Sequence, residues 1–230
     1  MTFDFTVLDD LADQTVTAVL AAWLLRAELD DDEQWQRLVV SVLVVAVLQA
    51  EAWGRLYGGQ ARPVDGGPLL PTDGRPRRRP PEDFEQPSAG APRPTPDLAI
   101  VARERDLTER LTRAVQTLAD ADDLGRVERL ARDEPVQAAQ RGCQDGLRLQ
   151  DKPARGYRRG INPDCCELCF WLWKEGFVYD LDQPMHRHTG CRCVPVPTTD
   201  PYGKWKLSAD DQALLDDLYR KYTDKRSKAA

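Results

Sequence analysis

Leu38-Val39-Val40-Ser41-Val42-Leu43-Val44-Val45-Ala46-Val47-Leu48 is the strongest apolar run in the chain. Its β-branched content would suit a strand. The residues around it decide for a helix: Trp35, Leu38, Val39, Val42, Ala46, Gln49, Trp53 and Leu56 keep helical spacing well beyond strand length. As a helix the run spans roughly 16 Å, about half of a bilayer core, so a buried helix is expected. Asp30-Asp31-Asp32 offers an N-cap and negative charge at the positive helix end, and Gly58-Gly59 offers a stop. Upstream, Val16, Val19, Leu20, Trp23, Leu24 and Ala27 share one face of a first amphipathic helix. Residues 1–58 therefore read as a helical hairpin.

Ten of the seventeen prolines fall between Pro63 and Pro96, interrupted by glycines and by the basic stretch Arg75-Pro76-Arg77-Arg78-Arg79. Proline removes backbone donors, and little apolar surface remains to offset the cost of ordering, so 59–97 is expected to be a flexible tether. Helix resumes after Thr95-Pro96, where proline suits the first helical position. Ile100, Val101, Leu107, Leu111, Val115 and Leu118 follow at near-helical spacing across a segment read as 98–151. A further helix from about Leu124 meets Pro135, which is expected to kink it or to begin a new helix through Cys143 and Leu147. Ser208-Ala209-Asp210-Asp211 is a capping signal before Leu214, Leu215, Leu218, Tyr219 and Tyr222, which gives an amphipathic helix within 201–230.

The chain has 230 residues, 41% hydrophobic and 30% charged, with a net charge of −6. The acids are concentrated at the start: residues 1–33 carry nine against one base, whereas 152–206 carry nine bases against six acids. No basic region precedes an apolar stretch at the N-terminus, so no secretory leader is expected, and clustered cysteines then point to a metal more than to disulfides.

Five of the six cysteines and both histidines lie between 165 and 193. Cys166-x2-Cys169 followed by His188-x2-Cys191-x-Cys193 is the spacing of a tetrahedral zinc site built from two knuckles. Thiolate and imidazole suit zinc, and four protein ligands leave no open coordination position. Cys166 and Cys169 form the better first pair, with Cys165 facing the core. The second pair is His188 with Cys191, or alternatively Cys191 with Cys193, whose side chains would share one face of a strand. His186 reads as solvated or supporting, and Cys143 as core. Between the knuckles, a short helix through Trp173 closed at Gly176, then a strand through Tyr179, would cover the metal. The expected fold is mainly α: a helical body with a small C-terminal zinc-stabilised α+β module over 152–200.

Enzyme signatures are missing from this pattern. A zinc deaminase places H-x-E upstream of its cysteine pair, whereas both histidines here lie downstream. H-E-x-x-H and the phosphate-binding G-x-x-x-x-G-K-[ST] are also absent from the sequence. A structural site without catalysis is the expectation. Lys152, Arg155, Arg158, Arg159, Arg187 and Arg192 could line a phosphate-contacting face beside Trp171 or Trp173, so a nucleic-acid-binding zinc protein is the alternative from another class.

Arg155-x2-Arg158-x2-Ile161-x-Pro163-x2-Cys166-x2-Cys169, then Gly176-x2-Tyr179, then His188-x2-Cys191-Arg192-Cys193-x-Pro195, resembles the C-terminal signature of the phage head-morphogenesis proteins, the MuF-like minor capsid proteins. The likeness covers roughly residues 153–198. It departs from the family ending H-P-x-C-R-C, since Thr189 stands where members carry proline, and Cys165 is extra. The resemblance implies a minor protein of the virion, in the capsid interior or at the portal vertex, that acts in procapsid assembly or DNA delivery. Its implied partners are the portal protein, capsid or scaffold proteins and packaged DNA, met in the host cytoplasm during assembly, with no membrane involved. Some relatives are labelled as capsid maturation proteases, and His186 or His188 could serve a histidine-metal nuclease, so protease or metal-dependent nuclease activity is the remaining alternative.

Overall fold

A computed structural model of the chain describes residues 5–29, 31–61, 96–121, 123–150, 154–161, 164–198 and 209–229. The described residues are mostly helical, with one small two-stranded sheet. In order they form α1 (Phe5–Leu24), a 3-10 turn (Leu25–Glu28), α2 (Asp32–Gln60), α3 (Pro96–Asp120), α4 (Leu124–Arg148), β1 (Gly156–Gly160), α5 (Glu167–Lys174), β2 (Val194–Thr198) and α6 (Ala209–Ala229).

The hairpin forms as the periodicity requires. Leu8, Ala12, Val16, Val19 and Ala22 turn one face of α1 into the core, and α2 buries Trp35, Val39, Leu43, Val47 and Ala50 against it. The N-cap of α2 is Asp31, whose carboxylate accepts from the Glu33 amide at 2.8 Å. Trp35 is fully buried and its indole N–H donates to the Ala22 carbonyl at 2.8 Å, which ties the start of α2 to the end of α1. Among the described residues α2 is the one helix long and apolar enough to cross a membrane. Half of its most apolar window is buried within the protein, so it also meets the description of a core helix.

α2 ends at Gln60, one residue past Gly58-Gly59, and the Ala61 amide donates to the Gly58 carbonyl at 3.3 Å. Gly58 also takes part in a close crossing with α4. A Cβ on Gly54 or Gly58 would lie 2.0 Å from the carbonyl oxygen of Ala139 or Cys143 respectively. From the other side, a Cβ on Gly142 would lie 2.0 Å from the Glu51 oxygen, and one on Gly146 2.2 Å from the Arg55 oxygen. Each helix thus presents two glycines one turn apart, and the main chains touch directly. Pro135 does not begin a new helix: α4 runs through it as one element. The backbone bond that proline forfeits is offset by burial, since Ala131, Pro135, Ala138 and Ala139 all lie in the packed face.

Of the tether expected over 59–97, the first residues belong to α2 and α3 begins at Pro96, while 62–95 lie outside the described residues. The capping serine expected at Ser208 also lies outside them.

Strands β1 and β2 pair antiparallel, Gly156 opposite Thr198 through Gly160 opposite Val194. Pro197 and Pro195 face Tyr157 and Arg159, two residues apart. Tyr157 turns its backbone the other way, exchanging both hydrogen bonds with Tyr179 at 2.9 and 2.8 Å, so the proline opposite it is asked for no donor. The strand expected through Tyr179 is reduced to this single bridge.

Two hydrophobic clusters result. One unites α1 to α4; the other gathers Leu147, Tyr157, Phe170 and Trp173 with Leu215, Leu218 and Tyr222 of α6 and with Cys165, Cys169, Cys191 and Cys193. The cysteine-rich segment is therefore the centre of the second cluster.

Candidate metal centre

Cys166 is the N-cap of α5, and its sulfur accepts from the Cys169 amide at 3.4 Å. That placement puts two thiols at the N-terminus of α5. The second knuckle is a tight turn. The Cys191 amide donates to the His188 carbonyl at 3.0 Å across Gly190, whose φ of +75° is the left-handed conformation that glycine adopts freely. Asp133 of α4 pins this turn by accepting from the Gly190 amide at 3.0 Å.

The turn aims the His188 ring inward. Nδ1 lies 2.9 Å from the Thr189 carbonyl, which selects the tautomer with its proton there and leaves the Nε2 lone pair free. Nε2 sits 3.0 Å from the Cys166 sulfur and 3.2 Å from that of Cys169. The Cys169 and Cys191 sulfurs are 3.5 Å apart. Ligand atoms of Cys166, Cys169 and His188 form one group within 4.8 Å of one another, and those of Cys169, Cys191 and Cys193 form a second. Cys169 belongs to both. These five residues could hold a metal ion.

The remaining cysteines stand apart, as the sequence expects. Cys143 is fully buried in α4 and its thiol is pushed up to about 12 by burial. Cys165 is buried beneath α6, where its carbonyl accepts from the Tyr222 hydroxyl, and burial lifts its thiol to about 11. The His186 side chain is exposed.

Arg159, read from sequence as a candidate phosphate contact, has a different task. It is 2% exposed, and its Nη1 donates to the sulfurs of Cys169 at 3.4 Å and Cys191 at 3.6 Å, while Nη2 donates to the His186 carbonyl at 2.6 Å. Hydrogen bonds from Cys169 and Cys193, with the Arg159 charge beside it, hold the Cys191 thiol far below the ordinary thiol range. The charge balance is informative: a divalent ion with three thiolates and one imidazole is a monoanion, and one buried guanidinium neutralises it. Of the rest of the expected phosphate face, Lys152 lies outside the described residues and Arg155 is exposed, while the others are engaged within the protein. Arg158 is buried and donates to the Gly176 carbonyl at 2.8 Å, and Arg192 pairs with Asp9 at 2.9 Å.

Three residues on α4 that the sequence reading did not single out hold the second knuckle and the loop that leads to it. Gln140, fully buried, donates from Nε2 to the carbonyls of Cys191 at 2.6 Å and Cys193 at 2.7 Å. One turn on, Gln144 donates to the carbonyls of Leu181 and Gln183, and Arg148 also donates to Leu181. Polar residues at this four-residue spacing look like a solvated helix face, and only the tertiary fold shows otherwise. Gln140→Leu keeps the volume but strands two buried carbonyls. It should cost about 2–4 kcal/mol, read as a loss of thermal stability with faster metal release to a chelator. Unchanged metal retention would show that the knuckle is held without α4.

Comparison with protein-family models, with curated proteins and with solved structures finds no match to this chain.

Proposed function

We propose that the chain is a minor capsid, head-morphogenesis protein of a tailed phage, associated with the portal, in which a structural zinc ion stabilises the C-terminal core. The ligands in this reading are Cys166, Cys169, His188 and Cys191, with Cys193 as the alternate. The observation that carries it is the convergence of the two knuckles around Cys169, in the order and spacing on which the family resemblance rests. Four such donors leave no position for a reactive water, so the centre acts by holding structure rather than by catalysis. Zinc-dependent cleavage of DNA or capsid precursor, lost in His188→Ala without unfolding, would instead establish a nuclease or protease.

Docking is assigned to the helical body. Trp35 cannot serve as an anchor, being part of the core. Leu38, Val45 and Leu56 can: they lie seven and eleven residues apart, hence on one face of α2, and are 40%, 55% and 65% exposed. The protein should co-purify with the portal ring of its own phage, and Val45→Glu combined with Leu56→Glu should reduce recovery about tenfold or more with the melting temperature kept. Equal recovery of the double variant would remove α2 from the contact; no recovery of the native chain would remove the portal.

A further inference from the structure

Between α2, α3 and α4, a cavity of about 280 Å³ is lined by Glu51, Arg103, Asp106, Arg110 and Arg141 together with apolar side chains. Most of these charges are matched. Glu51, whose side chain is only 8% exposed, accepts from Arg55 at 2.9 Å and Arg103 at 2.7 Å. Arg110 grips both oxygens of Glu134 at 2.6 Å each. Arg141 is different. It is half-buried and, among the described residues, makes neither a hydrogen bond nor an ion pair. Burial lowers its pKa from the ordinary arginine value, the attraction of Glu134 and Glu51 being opposed by Arg110 and Arg103. An arginine remains charged in proteins, so this is a retained positive charge with five N–H donors and no acceptor.

We propose that this cavity binds a phosphodiester group of a nucleic-acid strand, with Arg141 as the principal contact and Arg103 and Arg110 at its sides. Two features select the ligand. The lining holds three guanidiniums against two carboxylates, and adding the flanking Arg55, Arg187, Glu134 and Asp145 leaves the same excess of one positive charge. A singly charged oxyanion balances that excess, whereas a dianionic phosphate monoester would overshoot beside Glu51 and Asp106. The donors also come from two different helices, which suits a tetrahedral group with several acceptor oxygens better than a planar carboxylate, which one arginine fork can satisfy.

The test uses the full-length protein at low ionic strength with a short single-stranded DNA, a duplex of the same length, inorganic phosphate, polyglutamate, and vesicles of phosphatidylcholine and phosphatidylglycerol in equal parts. DNA should bind. Arg141→Gln should weaken it about tenfold and make the plot of log affinity against log salt shallower by about one, with melting unchanged. Arg105→Gln, on α3 but paired outward with Glu109 and 74% exposed, should stay within about twofold. Inorganic phosphate should compete only weakly. DNA binding that is absent, or equal in Arg141→Gln and the native chain, overturns the site. Vesicles bound in place of DNA, or polyglutamate displacing it through Arg141, would assign the cavity to a lipid or an acidic protein and overturn the nucleic-acid reading. Failure on any of these counts leaves the portal association untouched, because that depends on the outer face of α2.

Discussion

Replacing Cys169 by serine is expected to release the metal and unfold the C-terminal cluster, the largest loss of any single ligand. Its sulfur lies in both donor groups, next to His188 Nε2 on one side and Cys191 on the other. No other cysteine can substitute without rebuilding the start of α5. Apparent zinc-binding energies in small modules reach about 10–16 kcal/mol at neutral pH and are coupled to folding, so most of the cluster's stability goes with the ion. Phe170 and Trp173, now buried beside the site, would become exposed, and tryptophan emission should shift to the red. Cys165→Ser should cost much less, about 1–2 kcal/mol for a hydroxyl placed where a thiol was buried, and should keep the metal. Equal loss from the two substitutions would exchange their roles.

Gly142→Ala is expected to be the most damaging change in the helical body. One added methyl would sit 2.0 Å from the Glu51 carbonyl oxygen and 3.0 Å from the Arg55 amide. The obstacle is main chain, so relief requires α2 and α4 to separate along the whole crossing. Overpacking usually costs about 1–3 kcal/mol, and a backbone clash of this depth belongs at or above the top of that range. Gly125→Ala, where the added methyl meets nothing closer than the Asp123 side chain at 3.5 Å, is the matched control and should be neutral or slightly stabilising. Denaturant midpoints for the two variants and the native chain would decide it; similar midpoints would mean the crossing tolerates a wider gap.

Those glycines show where the sequence was opaque. A glycine pair near the end of an apolar helical pattern reads as a terminator, because local sequence holds no record of the partner helix. Gly58 is also the place where Cys143 of α4 comes closest, eighty-five residues away in the chain. Trp35 is a related case: a large aromatic often anchors an interface, but here the neighbouring end of α1 encloses it. The helical course of α2 and its aspartate cap were legible, since period and capping are local properties.

At the candidate centre the split follows the same rule. Five cysteine and histidine positions could be chosen from spacing alone, and the side chains that converge are those five. Cys165 could be set aside because it lies one residue outside the Cys166-x2-Cys169 spacing, and its side chain is buried in the second cluster. Arg159 could not be separated from its neighbour Arg158 by composition. Alternation along β1 sends them to opposite faces, one to the thiols and one to the Gly176 carbonyl. Gln140 and Gln144 gave no signal, since their partners are backbone carbonyls that only the tertiary fold brings near.

Elemental analysis of the purified full-length protein, combined with X-ray absorption at the zinc edge, tests the central claim most directly. One zinc per chain, coordinated by three sulfurs and one nitrogen, is the predicted result. Protein from zinc-replete medium that carries no metal, with all six thiols freely titratable and the C-terminal cluster still folded, would contradict it.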